Sequence, residues 1–192
     1  MTRLSKIICM IFFITSLTGC IPAAIIVGAT AGGAVVYDKR TTKTMIHDQQ
    51  ANESLAQLTT NSPELQRGAH ITVATFNHIM LITGQTETAE QRDKVYQLAT
   101  TIKNVSRIYN EITVEKPTSQ WQRTKDSWIT AKIKSRMLAQ PGFHSTQIKV
   151  VTENNTVYLM GVLSHKQADE AVDIARHIDG VKTVVKVFEY PQ

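Results

Sequence analysis

Residues 148–161 read IKVVTENNTVYLMG and residues 71–84 read ITVATFNHIMLITG, so one pattern occurs twice at an offset of 77 residues. In both stretches apolar and polar residues alternate, which predicts two half-buried strands. The strands flank Asn77-His78 in the first copy and Asn154-Asn155 in the second. Asn and His tolerate the positive φ that a two-residue hairpin turn requires. The chain is therefore predicted to contain two copies of one hairpin-based domain.

The same signals follow each hairpin. Gly84 or Gly161 is predicted to end the hairpin, and a capping box then predicts the start of a helix. The capping boxes pair Thr88 with Gln91 and Ser164 with Gln167. The residues predicted to end these two helices in a left-handed conformation are Asn104 and Gly180. Closing strands are predicted over residues 107–114 and 183–190.

A further helix leads each copy, at about residues 46–58 in the first and residues 126–140 in the second. The predicted fold class is α+β, with two tandem α-β-β-α-β domains, each a three-stranded mixed sheet covered by two helices. The first domain is assigned to residues 45–115, the linker to 116–121 and the second domain to 122–192. Each copy is near the lower size limit for an independent core, so mutual packing of the two is expected.

The leading helix of the second copy, DSWITAKIKSRMLAQ at residues 126–140, carries two apolar stripes. The first stripe consists of Ile129, Ile133 and Met137. The opposite stripe consists of Trp128, Ala131, Ser135, Leu138 and Ala139.

Basic residues lie beside these stripes, with Lys132 and Arg136 on one flank of the helix and Lys134 on the other. One stripe is enough to cover a small core. A second stripe with a Trp and basic residues beside it suits an anionic membrane surface. The alternative is that both stripes are buried between two packed domains.

The leading helix of the first copy has diverged from this pattern. Its apolar positions are Ile46, Ala51, Leu55 and Leu58, and it has no aromatic residue and no basic residue after Lys43. Residues 121–138 contain five basic residues against Asp126 alone, a local charge of +4. This difference favours the hypothesis that the second copy binds a ligand and the first copy supports it.

The N-terminus reads as a secretory signal over residues 1–19. Arg3 and Lys6 precede the apolar run 7–17, and residues 17–20 read LTGC. This tetrad resembles a bacterial lipobox, which implies that Cys20 carries a diacylglycerol thioether and an N-acyl chain. The other cysteine, Cys9, lies in the part removed, so no disulfide is expected. The expected cofactors are none beyond these acyl chains.

Residues 20–44 are predicted to be the lipidated cysteine and a flexible tether. Residues 21–37 are apolar but rich in Ala and Gly, and a transmembrane anchor is the alternative for this stretch. Position 21 is Ile rather than the Asp that resembles an inner-membrane retention signal. The expected location is therefore the outer membrane, lipid-anchored, on its periplasmic face. Removing Arg3 and Lys6 lowers the net charge from +5 to about +3, so the remaining chain is only mildly basic.

Several strings together resemble bacterial proteins with tandem BON domains. They are LTGC at 17–20, IYNEI at 108–112, DSWIT at 126–130, VYLMG at 157–161, and IKNV at 102–105 beside IDGV at 178–181. The resemblance implies a non-enzymatic periplasmic lipoprotein that gathers at the division site and supports envelope integrity. It also implies that the first helix of the second domain contacts anionic phospholipid, with Trp128 and Leu138 inserting. The assignment of Lys132, Lys134 and Arg136 to the phosphates comes from their positions on the helix.

Other classes of function find no support in the sequence. The six histidines form no HxxxH or HExxH pattern, so no metal site is expected. Asp173 and His177 could pair on a helix, but no nucleophile motif accompanies them, so no catalytic residue and no small-molecule substrate are expected. The aromatic residues are too scattered to stack bases, and no nucleic-acid partner is expected. Two hypotheses remain for the second stripe: a surface for anionic phospholipid such as phosphatidylglycerol, or an interface with the first domain or an envelope protein.

Overall fold

A computed structural model describes residues 40–191, which form two α-β-β-α-β units in sequence. The elements of the first are α1 (Thr42–Thr60), β1 (Ala69–Phe76), β2 (Ile79–Thr86), α2 (Ala89–Thr100) and β3 (Arg107–Val114). The elements of the second are α3 (Gln120–Ala139), β4 (Ile148–Glu153), β5 (Thr156–Val162), α4 (His165–Arg176) and β6 (Thr183–Glu189). The predicted signal, Cys20 and most of the predicted tether, with its transmembrane alternative, lie outside the described residues.

Both sheets have the same mixed topology. The strand orders are β1-β2-β3 and β4-β5-β6. In each sheet the hairpin strands pair antiparallel, and the third strand runs parallel to the second because a helix crosses over between them. The predicted fold class, two tandem three-stranded mixed sheets with two helices each, is confirmed.

The two hairpin turns have the predicted conformation. Asn77, His78, Asn154 and Asn155 all have positive φ, between 47° and 65°. In each copy one aspartate of the leading helix binds the turn, a contact that the sequence did not predict. Asp48 on α1 accepts the backbone N–H groups of Asn77 and His78 at 2.8 and 2.9 Å. On α3, Asp126 accepts those of Asn154 and Asn155, both at 2.9 Å. Each leading helix is thus fastened to the tip of its own hairpin by a buried carboxylate.

The sequence predicted that the two repeated glycines, Gly84 and Gly161, end the hairpins, and this prediction is wrong. Gly84 lies inside β2 and pairs with Ile71, while Gly161 lies inside β5 and pairs with Ile148. A Cβ at Gly84 would lie 1.9 Å from the carbonyl oxygen of His70, and one at Gly161 would lie 2.7 Å from that of Gln147. These residues are glycines because the neighbouring backbone passes too close for any side chain.

The capping boxes are confirmed, but several helix ends differ from the prediction. Both pairs make the reciprocal hydrogen bonds at the starts of α2 and α4. Asn104 and Gly180 have the predicted left-handed conformation, but each lies four residues beyond the end of its helix, in the turn before the closing strand. The leading helix of the second unit begins at Gln120, inside the segment assigned to the linker.

The helices of each unit cover one face of its sheet, and the opposite faces of the two sheets pack on each other. The first helix-facing core is built around Leu55, Met80 and Val95, and the second around Ile133, Leu159 and Ala171. A third cluster joins the sheets. Its buried residues are Ala74, Phe76, Ile79, Leu81, Tyr158, Met160 and Val187. The described chain therefore has four layers, helices–sheet–sheet–helices, and the expectation that the two copies pack on each other is confirmed.

Polar contacts close two ends of this interface between the sheets. Glu153 accepts a hydrogen bond from Gln85 Nε2 at 2.9 Å, and its other carboxylate oxygen lies 3.7 Å from His70 Nε2. Burial lowers the pKa of His70, against the opposing effect of Glu153. At the hairpin end, Asn77 Nδ2 donates to Glu189 at 2.7 Å. These contacts hold the two units in one relative orientation.

Candidate functional site

Helix α3 covers the second sheet with one face and leaves the other open to solvent. Ile129, Ile133 and Met137 are buried in the second core. On the other side, Trp128 is 65% exposed and Leu138 is 74% exposed. The sheet–sheet packing uses neither stripe of this helix, because its residues lie on the far faces of the sheets. The alternatives that bury the second stripe between the two domains are therefore wrong.

The packing of α3 explains why this stripe points outward. Ser119 caps the helix, since its hydroxyl accepts the N–H of Gln122 at 3.2 Å. Asp126 fastens the middle of the helix to the hairpin, as described above. One turn later, the hydroxyls of Thr130 and Thr152 lie 2.7 Å apart, which fixes one flank of α3 against β4. These contacts and the buried stripe hold the helix in one rotation about its own axis.

The early start of α3 adds a third large apolar residue to this surface. Trp121 is 77% exposed, the highest value of any large hydrophobic residue within 40–191. It lies seven residues before Trp128, which places both rings on the same side of the helix. Trp121 was not among the predicted site residues, because the helix predicted from the sequence began at Asp126. A Ser at the capping position followed by QWQRTKD was the available signal. We call Trp121, Trp128 and Leu138 the outer stripe.

The basic residues of α3 flank the outer stripe and have no acidic partner. Lys132, Lys134 and Arg136 are all exposed, and none forms an ion pair or hydrogen bond with another residue in the described chain. Arg123 differs, because its guanidinium donates to the carbonyl of Thr118 at 2.9 Å. Asp126, the only acidic residue of α3, is buried and bound to the hairpin amides. The solvent-facing side of α3 is therefore positive throughout.

An open groove runs along one side of the outer stripe. Its volume is about 530 Å³. It is lined by Trp128, Ala131, Lys132, Ser135, Arg136, Ala139 and Ile178. Six of these residues belong to α3, and Ile178 comes from the turn that follows α4. The structure thus brings Trp128, Lys132 and Arg136 to one groove, while Lys134 and Leu138 lie outside its lining.

Other sites considered from the sequence have ordinary structural roles or no supporting geometry. Within residues 40–191, no three His, Cys, Asp or Glu side chains are grouped closely enough to hold a metal ion. Asp173 pairs with the exposed Arg176 at 2.6 Å and lies 3.8 Å from His177, on the surface of α4. Among the helices of the described chain, none is long and apolar enough to cross a membrane.

Comparison with known proteins identifies the family. The BON domain family matches twice, at residues 47–116 and 125–192. The outer membrane lipoprotein DolP of Haemophilus influenzae is 35% identical over 174 residues, which cover 91% of this chain and 90% of that protein. The 21 kDa hemolysin of Actinobacillus pleuropneumoniae is 37% identical over 155 residues, with 81% and 80% coverage.

Solved structures add no independent argument. CdsD, a structural protein of the type III secretion system of Chlamydia trachomatis, shares 20% identity with a TM-score of 0.29, covering 75% of this chain and 63% of that one. The two sequence matches to the family and the near full-length similarity to a relative decide the assignment. The chain belongs to the BON domain family, as a tandem-BON protein similar to the outer membrane lipoprotein DolP.

Proposed function

We propose that this protein is an outer-membrane lipoprotein whose second BON domain binds anionic phospholipid, such as phosphatidylglycerol, through α3. In this proposal acyl chains on Cys20 anchor it to the periplasmic face of the membrane. The protein has no catalytic role and supports cell-envelope integrity at division sites, as its resemblance to tandem-BON lipoproteins implies. The outer stripe inserts into the interfacial region of the bilayer, and Lys132, Lys134 and Arg136 attract the phosphates.

The observation that carries this proposal is an exposed apolar stripe between unpaired cations. Trp128 and Leu138 are more than half exposed on a helix whose other face already fills its core. Tryptophan favours the interface of a bilayer because its ring is apolar and its N–H group is polar. An amphipathic helix with basic residues beside such a stripe binds parallel to an anionic membrane surface.

Charge adds to insertion and makes the binding depend on salt. Each basic residue near an anionic surface contributes about 1 kcal/mol. Because Lys132, Lys134 and Arg136 have no ion pair in the described chain, none has to give up a partner to reach the membrane. A lipid anchor and a helix on one chain would act together, since anchoring raises the effective concentration of the helix at the membrane.

The second candidate function is a protein interface on the same helix. A solvent-exposed patch with Trp128 in its middle also fits a partner protein of the envelope, because tryptophan is enriched at the centres of interfaces. The first domain is not that partner, since it packs on the opposite face of the second sheet. The two candidate functions differ in one requirement: membrane binding needs Lys132, Lys134 and Arg136, whereas a protein interface centred on Trp128 does not.

The decisive experiment is a titration of residues 36–192 with vesicles, followed by tryptophan fluorescence. This segment forms one compact unit and keeps every residue of the three cores, so it is suitable without the residues that precede it. In a Trp121→Phe background, Trp128 is the only tryptophan left. We expect a blue shift with phosphatidylglycerol vesicles that is absent with zwitterionic vesicles and reduced by salt.

Two charge-reversal variants provide the control. Lys132→Glu, Lys134→Glu and Arg136→Glu together are expected to abolish the shift. Arg67→Glu, Lys103→Glu and Lys166→Glu change the net charge equally at exposed sites off α3, and are expected to keep most of it. No shift with any vesicle, combined with loss of a captured envelope protein on Leu138→Asp, would favour the protein-interface function instead.

A further inference from the structure

Strand β1 lies at an edge of the first sheet, and its outer side has no partner strand in the described chain. Along an antiparallel ladder hydrogen-bonded pairs alternate with non-bonded ones, and the pair Phe76–Ile79 closes the two-residue turn. The main-chain N–H and C=O groups of Ala69, Ile71 and Val73 therefore point away from β2. None of these groups forms a hydrogen bond elsewhere in that part of the protein. They leave three donors and three acceptors in a row, which is a template for a further strand.

A groove beside this edge lies where the side chains of such a strand would go. Its volume is about 280 Å³. One wall is α1, with Asn52, Glu53 and Ala56. The other wall is Ile71 and Val73, which pack on the core under the helices. Alternate residues of a strand face one side of a sheet, so a strand paired with β1 would point every second side chain into this groove. The groove and the free main-chain groups together fit recognition by strand addition.

The second domain protects its equivalent edge with charge. Lys134 occupies the helix position that Ala56 has in α1, and β4 carries Lys149 where β1 has Thr72. Charged residues, and lysine especially, prevent a sheet edge from pairing with other chains. Residues 69–76, AHITVATF, form a strand of eight residues that contains no Lys, Arg, Asp, Glu or Pro. The edge of the first domain therefore lacks the protection that the second domain has.

A polar pair beside the groove also differs between the two domains. In the second domain the hydroxyls of Thr130 and Thr152 lie 2.7 Å apart. The equivalent residues of the first domain are Asn52 and Thr75. Asn52 Oδ1 and Thr75 Oγ1 are buried, and neither has a hydrogen-bond partner within residues 40–191. Because Asn52 lines the groove, an N–H group of an added strand can supply the missing donor.

We propose that β1 binds an extended segment of a partner protein as a fourth strand of the first sheet. The segment has apolar residues at alternate positions, which pack against Ile71 and Val73, and a basic residue that pairs with Glu53. The Glu53 carboxylate is exposed, accepts a hydrogen bond from Gln49 Nε2 at 2.8 Å, and has no cation partner in the described chain. This surface belongs to the first domain, so it is separate from α3 and goes beyond the proposed function.

Charge distinguishes such a segment from a second copy of this chain. Two copies joined edge to edge through β1 would form a continuous six-stranded sheet. Each copy would bring its own Glu53, while β1 has no Lys or Arg to pair with it. Like charges oppose association, whereas a basic segment complements the groove. The occupant is therefore a different chain with a basic, alternating segment.

The test adds an alternating basic peptide, acetyl-Lys-Thr-Val-Thr-Val-Thr-Val-Lys-amide, to residues 36–192. Binding is followed through the amide NMR signals of the ¹⁵N-labelled protein and through their hydrogen exchange. We expect saturable shifts in β1. The exchange of the Ala69, Ile71 and Val73 N–H groups should slow by about tenfold, because they become hydrogen-bonded. The signals of residues 126–140 should not change, and shifts confined to α3 would overturn the proposal.

Two lysine substitutions on α1 form a matched pair of variants. Ala56→Lys copies Lys134 into the groove and should weaken peptide binding by about tenfold, since it fills the groove and repels the lysines of the peptide. Ser54→Lys adds the same charge on the opposite side of α1 and should stay within about twofold. Both positions are exposed, so neither change disturbs the core. Glu53→Gln should weaken binding by about threefold, through loss of one exposed ion pair. Equal effects of Ala56→Lys and Ser54→Lys would overturn the groove as the binding site.

N-methylated peptides test whether main-chain hydrogen bonds carry the binding. A strand presents the N–H groups of alternate residues along one edge, so methylation of the valine nitrogens and methylation of the threonine nitrogens block opposite edges. One of these two peptides should lose binding and the other should keep it. Equal binding by both would overturn strand addition. Slow exchange of the β1 amides in concentrated protein without peptide would identify a second copy as the occupant, and would overturn the proposed partner segment.

Discussion

Helices α1 and α3 occupy equivalent places in the two BON domains, yet they resemble each other only in the residues that face the hairpin and the core. Asp48 and Asp126 each bind the two amides of a hairpin turn, and Ala51 and Leu55 are buried where α3 has Ile129 and Ile133. Outward, the positions that match Trp128, Lys132 and Leu138 are Gln50, Ser54 and Thr60. No residue of α1 that faces solvent forms an apolar stripe with basic flanks.

The comparison distinguishes the helix positions that the fold constrains from the positions that are open to a ligand. The inward positions agree because both helices must fasten to a hairpin and cover a sheet of the same topology. The outward positions are free of that constraint, so an apolar stripe on only one of them needs a further reason. The proposed function supplies such a reason, because in it the second domain binds the membrane and the first domain supports it by packing sheet against sheet.

The largest expected effect contrasts the glycines inside the two central strands. Gly84 has φ of +121° and its added Cβ would meet a backbone oxygen at 1.9 Å, whereas at Gly161 the nearest atom is at 2.7 Å. Gly84→Ala combines backbone strain with a clash and should destabilise the protein by about 4 kcal/mol. Gly161→Ala should cost about 1–2 kcal/mol, by overpacking alone. Urea unfolding of residues 36–192 measures both, and a larger loss for Gly161→Ala would contradict this reading of the strands.

The next prediction tests the contact that α1 and α3 share. Asp126→Ala leaves two amides of the second hairpin, one buried and one part-buried, without their charged acceptor, and should reduce the free energy of unfolding by about 3 kcal/mol. Asp48→Ala removes the same two bonds from the first hairpin. It also removes the ion pair with Arg40 at 3.0 Å, where Asp126 instead accepts a hydrogen bond from Gln122 Nε2 at 3.0 Å, so its cost should be similar. Thermal unfolding of the two variants, with exposed Asp169→Ala as the control, tests the equivalence. A loss below 1 kcal/mol in either variant would show that water replaces the carboxylate there.

Local sequence signals were sufficient for the topology. Alternating residues around Asn77-His78 and Asn154-Asn155 defined the hairpins, and the two capping boxes placed the crossover helices correctly. These features depend on residues a few positions apart, which a single sequence displays directly. The internal repeat strengthened the prediction of these elements, because the same pattern of strands, turn and capping box occurs in both copies.

Contacts between residues far apart in the sequence could not be predicted, because no local pattern indicates them. Asp48 and Asp126 look like solvent-facing residues on a helix until the hairpin turns are brought beside them. Asp126 is also a residue type that starts helices, which hid the true cap at Ser119 and left Trp121 outside the predicted site. The groove wall at Ile178 comes from a turn 50 residues away from Trp128 and has no signal on α3 itself.

The third prediction concerns the interface between the sheets, at a position where the second copy has a tyrosine and the first has a leucine. Burial, with smaller effects from Glu111 and Glu153, raises the pKa of Tyr158 to about 12, and its counterpart in the first sheet is Leu81. The folded state therefore holds this proton more tightly than the unfolded chain, whose tyrosine pKa is about 10. Stability from this difference is complete below pH 10 and is lost as pH rises to 12, by about 1–2 kcal/mol once solvent near the hydroxyl is allowed for.

The measurement is urea unfolding between pH 9 and pH 12 for the parent and for Tyr158→Phe. Other groups titrate in both proteins, so the difference between the two curves isolates the tyrosine. We expect the parent to lose stability relative to Tyr158→Phe across this window. A constant difference would mean that the hydroxyl is solvated in the folded state.

The smallest expected effect is also the most direct attempt to remove the contrast between the two leading helices. Gln50→Trp, Ser54→Lys and Thr60→Leu copy the outer stripe and one cation onto α1, and Glu53→Ala removes an opposing charge. All four positions are exposed, so the first core should be unaffected. The one added lysine, at about 1 kcal/mol per basic residue near the surface, should strengthen binding to phosphatidylglycerol vesicles roughly fivefold, in a background where α3 carries the three charge reversals.

With α3 intact, the same graft predicts a new behaviour. The two helices lie in opposite outer layers of the four-layer fold, so a protein with two membrane-binding faces can join two vesicles. We expect the grafted protein to increase light scattering of phosphatidylglycerol vesicles, the parent protein to leave it unchanged, and salt to reverse the increase. If the graft binds vesicles no better than its background, an exposed apolar stripe with a cation is not enough. Binding would then depend on features that α1 still lacks, above all the groove lined by Lys132 and Arg136.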